Sequence, residues 1–263
     1  MTERQAIPLN ERLYRTEAIV LSRMDYGEAD RILTLFTRRR GKVRVIAKSA
    51  RKPLSRLGPH LEYFTRCRLL LARGRDLDVV SDAETIDAHP LLRSDLAALG
   101  HASHMAEVMD RLTEDRQEHE QAYHLLARSL RLLAEGVSPW LVARHYEWAL
   151  LQMLGYRPSL YECVSCGNAL LAEDNAWSSR LGGALCPLCH GAGSGVRRFP
   201  LPTQKVLRLL DREGLPAVAR LEIPEGIWND LEGLLGDYLR AVAERDFSSL
   251  RVWRAMEASA PYS

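Results

Sequence analysis

Cys163-Val-Ser-Cys166, nineteen residues, and then Cys186-Pro-Leu-Cys189 constrain this chain more tightly than any other feature in it. Two Cys-x-x-Cys knuckles at this separation match the spacing of a tetrahedral four-thiolate zinc site, because a two-residue gap lets both sulfurs of a knuckle turn onto one ion. Gly167 and Gly191, just past their knuckles, permit the tight backbone such turns require. Four protein ligands leave no open coordination position, so the metal expected is one structural zinc per chain. A redox-active Cys-x-x-Cys would need a thioredoxin-like βαβ context that is missing, and an iron–sulfur cluster is the other competing reading. The fifth cysteine, Cys67, sits alone in an apolar stretch and is expected as a small buried side chain.

The chain has 263 residues, which suggests two domains at roughly 150 residues each. With 46% hydrophobic and 27% charged residues it has an ordinary globular composition, which leaves little room for disordered, collagen-like or coiled-coil readings. No apolar run approaches the roughly 18 to 20 residues of a membrane helix, and the start, MTERQAIPLNERLYRTE, carries charge where a signal peptide is apolar. A cytoplasmic protein with no membrane partner is expected, in a reducing compartment that leaves thiols free for metal.

The formal charge of +2 hides a division. Residues 1–75 hold 18 Lys+Arg against 7 Asp+Glu, and the rest of the chain 18 against 27. From Arg31 to Arg56 there are ten basic residues and no acidic one. Such a block stores self-repulsion and points to an anionic partner, although a solvated basic face is the plainer alternative. The cations lie in the tight turn Arg38-Arg39-Arg40-Gly41-Lys42, at Arg44, and in the longer loop holding Lys48, Arg51, Lys52 and Arg56, with Ser49 and Ser55 as neutral donors. Guanidinium forks suit phosphate oxygens. Stacking groups look scarce, only Phe36, Tyr63 and Phe64 lying near, so binding should be dominated by phosphate and depend strongly on salt.

Five segments of the first third read as strands: 16–21, 32–37, 42–47, 64–72 and 77–88. Gly27, Arg40-Gly41, the stretch from Pro53 to Pro59 and Gly74 punctuate them, and five short strands suggest a small barrel. In Lys42-Val-Arg-Val-Ile-Ala47, Lys42 and Arg44 fall on one face and Val43 and Val45 on the other. After Pro90 the texture becomes helical, which places a boundary near 85–90: a barrel domain over 1–86 and a helical domain over 87–263, with the zinc module at about 160–195. The spacing predicts helices over 120–135, 139–154, 203–212, 227–245 and 250–256, with Ser138 as N-cap, Pro139 at the first helical position and Gly155 as stop. The fold class is thus α+β, a five-stranded barrel followed by helices with an inserted four-cysteine module.

Other constellations are weaker. His119-Glu120 with His124 departs from the zinc-protease spacing by one residue, so its histidines do not share a helix face. His101, His104 and Glu107 do share one, but a core or surface cluster is the commoner meaning. Gly191-x-Gly193-x-Gly195 follows a knuckle rather than a strand and lacks the Lys-Ser/Thr ending of a phosphate loop. No nucleophile elbow, Ser-His-Asp set or paired-carboxylate motif stands out, and an enzyme is not the leading reading. A zinc-dependent nucleic-acid enzyme, or a protein-interaction module with a basic face, are the alternatives.

YGEADRILTLFTRRRGKVRVIAKSARKPLSRLGPHLEYFT, then HPLLRSDLAALGHASHMAEVMDRLT, then LLQMLGYRPSLYECVSCG with the later CPLC, together resemble the bacterial recombination mediators of the RecO family, over about residues 14–250. The resemblance implies an oligonucleotide/oligosaccharide-binding (OB) barrel, a helical domain and a zinc module. It further implies binding of single- and double-stranded DNA, strand annealing, contact with single-stranded-DNA-binding protein and, with RecR, loading of RecA, in the nucleoid. Carried onto this chain, Arg38 to Arg56 would take DNA and Cys163, Cys166, Cys186 and Cys189 the zinc. Arg111, Arg116, Arg128 and Arg131 are candidates for the acidic tail of single-stranded-DNA-binding protein, although solvated helix faces explain them equally.

Overall fold

Val, Ile and Leu at alternating positions bury one face of each N-terminal strand. In the computed structural model, which describes residues 13–191, 194–244, 247 and 249, these strands are β1 (Leu13–Tyr26), β2 (Asp30–Thr37), β3 (Gly41–Ala47), β4 (Arg66–Ala72) and β5 (Asp78–Asp87). They close into a barrel of order β1-β2-β3-β5-β4, with β4 returning to β1 and one short parallel pairing of β3 with β5 at Val45 and Ile46. This is the OB barrel that the resemblance implied. Its interior is filled by Ala18, Val20, Leu33, Leu35, Val43, Val45, Cys67, Leu69, Leu71 and Val80. β1 runs well beyond the expected 16–21 because its first half pairs with β4 and its second half with β2. A register shift between Val20 and Ser22, where Leu21 forms a bulge, lets one strand serve both neighbours.

The helices are α1 (Leu96–Leu112), α2 (Glu120–Ala134), α3 (Pro139–Met153), α4 (Leu201–Glu213), α5 (Leu215–Val218) and α6 (Glu225–Ala243). Pro139 opens α3 as expected, but Ser138 makes no side-chain capping bond, and Gly155 beyond the end takes a positive φ of 83°. The expected helix over 250–256 lies outside the described residues. None of the helices described is long and apolar enough to cross a membrane.

Two compact units emerge, and neither is continuous in sequence. One holds the barrel, up to Leu96, together with Met109–Ala134; the other holds Ala97–Val108 and the chain from Glu135 onward. In the first unit α2 packs on β2, and Phe36, which points outward from the barrel, is fully buried there. The second unit contains a sheet that the sequence reading did not foresee. It is built from β6 (Asn175–Ser178), β7 (Gly183–Leu185) and β8 (Arg197–Phe199), in the order β7-β6-β8. Its core is Trp177, edge-on to Phe199 at 5.2 Å and to Tyr238 of α6 at 5.9 Å.

Candidate nucleic-acid interface and metal centre

The four cysteine sulfurs lie within 4.8 Å of one another, and among the described residues this is the one His/Cys/Asp/Glu group with a metal-ligand arrangement. Backbone bonds set the geometry. The Gly167 N–H closes the first knuckle onto the Cys163 carbonyl at 2.8 Å, with Gly167 at a positive φ of 76°, and the Cys189 N–H closes the second onto Cys186 at 3.0 Å. The Val164 N–H donates to Ala184 of β7 at 2.9 Å, which ties the first knuckle to the short sheet. Cys166 Sγ and Cys186 Sγ stand 3.9 Å apart. A tetrahedron with metal–sulfur bonds of about 2.3 Å requires edges of about 3.8 Å.

The protonation chemistry fits as well. Burial opposes ionisation of Cys163, but N–H donors, including that of Cys186 at 3.3 Å, outweigh it and bring the thiol down to about 6. A hydrogen bond with Cys186 pushes Cys189 the other way, up to about 12. Four sulfurs this close cannot all carry charge unless a cation sits among them. The donor set therefore fits a closed four-thiolate metal site. Cys67, by contrast, is buried in the barrel, and desolvation pushes its thiol up to about 12.

The basic block divides once its side chains are placed. Lys42, only 12% exposed, turns its ammonium onto the Asp110 and Thr113 carbonyls at 2.6 and 2.8 Å, where α1 ends, and onto the carboxylates of Asp110 and Asp115. Arg38 donates to Glu120 at 2.6 Å, and the Arg40 guanidinium lies 4.4 Å over the Tyr14 ring. Arg51 binds the carbonyls of Gly27 and Glu28 and the carboxylate of Asp25, so it fastens the β3–β4 loop to the β1–β2 turn. Arg39, Arg44, Lys48, Lys52 and Arg56 are exposed, and none has a carboxylate partner among the described residues.

Two cations outside the Arg31–Arg56 block join this surface. Arg15 and Arg68 line a cleft of about 220 Å³ together with Arg38, Arg39, Thr16 and Glu17. They were legible only through register, since Glu17 sits opposite Arg68 and Arg15 two residues along the same face. The Arg66 guanidinium holds Glu17 at 2.9 Å and draws its carboxyl below the ordinary value of 4.5.

Most of the remaining candidates have structural partners. His104 and Arg144 both donate to Oε1 of the buried Glu147 at 2.6 Å, while burial pushes His101 down to about 3, edge-on to Trp140. Glu120 accepts from Arg38 and lies 3.5 Å from His124. Arg116 pairs with Asp78 at 3.2 Å, and Arg128 and Arg131 converge with Arg66, His89 and His124 on a second cleft of about 300 Å³. Gly193 lies outside the described residues.

One chain thus carries a five-stranded OB barrel with a cationic outer surface and a four-cysteine centre. A family model described as the N-terminal part of recombination protein O matches residues 12–89, and one described as its C-terminal part matches 93–251. The chain belongs to the RecO family. Proteins named DNA repair protein RecO are similar to it along most of their length. The one from Roseiflexus sp. (strain RS-1) is 43% identical over 92% of this chain and 85% of its own, and that from Pelotomaculum thermopropionicum 38% identical over 90% and 92%. The one from Symbiobacterium thermophilum is 34% identical over 90% and 95%. This RecO protein, then, offers a barrel with five exterior cations that have no carboxylate partner among the described residues, and a filled set of cysteine ligands.

Proposed function

We propose that this RecO protein acts as a recombination mediator that binds single- and double-stranded DNA on its barrel and anneals complementary strands without covalent chemistry. The observation that carries this reading is the exposed set Arg39, Arg44, Lys48, Lys52 and Arg56, which among the described residues stands free of carboxylates while Arg38, Lys42 and Arg51 are used to hold the fold. Two strands repel each other. A cationic surface that binds one or both lowers that repulsion and raises their local concentration, so complementary bases meet more often and no nucleotide hydrolysis is needed.

With RecR, the protein would help load RecA on strands coated by single-stranded-DNA-binding protein, in the cytoplasm at the nucleoid. The cleft of Arg66, Arg128 and Arg131 has the charge to receive that coat protein's acidic tail. Cys163, Cys166, Cys186 and Cys189 would hold one zinc per chain. Bound there, the ion supplies a structural cross-link and neutralises thiolate charge.

The test is fluorescence anisotropy of labelled oligonucleotides at several salt concentrations. Replacing Arg39, Arg44, Lys52 and Arg56 together by Ala should weaken binding for every sequence tried and reduce the salt slope by about three units on single strands. Annealing of complementary strands should slow in parallel. Unchanged affinity would mean that the cations face something other than nucleic acid.

A further inference from the structure

The connection between β3 and β4 is eighteen residues long, 48–65, and carries three of the five cations that have no carboxylate partner among the described residues: Lys48, Lys52 and Arg56. A loop of this length tied only at its ends samples many conformations, and its side chains lose that freedom when they meet a ligand. This loop is tied along its length. Its second half is fastened to the barrel by the Phe64 N–H on the Val20 carbonyl at 3.0 Å and by His60 Nδ1 against the Thr85 hydroxyl at 2.7 Å, with Leu61 fully buried.

Its first half is held from the β1–β2 turn. The Ser49 N–H donates to the Asp30 carboxylate at 2.7 Å and the Arg51 N–H to the Ala29 carbonyl at 2.9 Å. The Arg51 guanidinium reaches the Gly27 and Glu28 carbonyls at 3.2 and 3.4 Å and the Asp25 carboxylate at 3.2 Å. Ser49 has a φ of 55°, a left-handed conformation that residues other than glycine rarely adopt. Such a backbone persists where its surroundings over-determine it, and the charge-assisted bond to Asp30 is that constraint. From this anchor two turns set the spacing of the cations: the Lys52 N–H bonds the Ser49 carbonyl at 3.2 Å, and the Ser55 N–H bonds the Lys52 carbonyl at 2.9 Å.

Asp30 borders the run Arg31–Arg56, which has no acidic residue of its own. By its charge alone a carboxylate placed there weakens the attraction for an anion. By its hydrogen bond it orders the loop that carries three cations, and order present before binding need not be created during it. We propose that Asp30 and Arg51 are positioning residues: they fix the first half of the β3–β4 loop so that Lys48, Lys52 and Arg56 meet phosphates together, and they touch no phosphate themselves. This rests on the reading of the barrel as a DNA-binding surface and adds to it that binding depends on a carboxylate against the sign of its charge.

The experiment compares two substitutions that remove the same charge. Asp30→Asn keeps an oxygen to accept the Ser49 N–H, and Asp30→Ala does not. Both are measured in the full chain by anisotropy of a labelled oligothymidylate at several salt concentrations. Asp30→Asn should bind at least as tightly as the wild type, and Asp30→Ala about fivefold more weakly than Asp30→Asn. The salt slope of Asp30→Ala should fall by up to about two units, because three cations no longer act together. A variant that merely loses stability does not change its slope, since unfolding lowers the active fraction and not the number of phosphates neutralised. Arg51→Lys keeps the charge and loses the fork, so it should follow Asp30→Ala, and it carries the test alone if Asp30→Ala fails to fold. Hydrogen exchange over residues 48–56, without DNA, should quicken in Asp30→Ala and Arg51→Lys but not in Asp30→Asn. Equal affinity and slope in Asp30→Ala and Asp30→Asn, or wild-type affinity and slope in Arg51→Lys, would overturn the positioning role while leaving the cationic surface in place. A wild-type protein that binds no oligonucleotide would overturn both.

Discussion

Lys42 shows how a single residue can look like a ligand contact and act as a brace. It lies inside a one-sign block on a solvent-facing strand position, yet its ammonium holds two carbonyls 68 and 71 residues away along the chain. Truncating it to Met leaves those carbonyls without their donor, so Lys42→Met should lower stability by about 1–3 kcal/mol in urea unfolding. Arg39→Ala, at an exposed position without a partner among the described residues, should change it by less than about 0.5 kcal/mol. Local alternation identified the outward face of Lys42 correctly; the destination of its side chain depends on where α1 ends, which no nearby residue encodes. Glu17 is the acidic counterpart. Because the Arg66 guanidinium depresses its folded pKa, the stability that this pair contributes is full at neutral pH and is lost as pH falls below about 4.5. Wild-type urea midpoints should therefore drop more steeply between pH 5 and 3 than those of Glu17→Gln.

Elements with a clean period were legible, and those without one were not. Four of the five barrel strands and the four long helices between 120 and 243 fall within a few residues of their expected bounds, because period-two and period-3.6 patterns persist over enough positions to be seen, whereas the single turn Leu215–Val218 was not foreseen. β6, β7 and β8, with four, three and three residues, are too short to show any period, although the knuckles that bracket them were plain. What stabilises them is packing of Trp177 and Phe199, together with the cysteine centre. Cys163→Ser should accordingly lower the melting temperature, and a chelator should lower that of the wild type toward the same value; a thermal melt read by tryptophan fluorescence follows both. The β2–β3 turn makes a sharper test of backbone constraint. Gly41 has a φ of +57°, and an added Cβ would come within 1.7 Å of the Gln117 carbonyl oxygen. Gly41→Ala should cost more than about 1 kcal/mol, well beyond the effect of Ala at the open Gly27.

Across the whole molecule, the formal charge of +2 is a poor guide to behaviour, since the first 75 residues carry 18 Lys+Arg against 7 Asp+Glu and the rest the opposite imbalance. Binding of polyanions should respond to salt as a strongly basic surface would, which an affinity titration between about 50 and 200 mM salt measures directly. Membership of the RecO family was legible from the order and spacing of three long motifs. The partition into compact units was not, because the chain passes between them three times and the crossings fall inside and beside helices. That partition has a consequence for how the protein is made. A ribosome delivers the chain in order, and all five barrel strands have left it by Asp87, but Met109–Ala134, which complete their unit, follow only after Ala97–Val108, which belong to the other. The nascent barrel thus holds Lys42 without its carbonyls until Thr113 is made, and Phe36 uncovered through the synthesis of more than forty residues, until α2 is complete. In this interval a chaperone that binds exposed apolar surface has most to gain by engaging the unfinished chain.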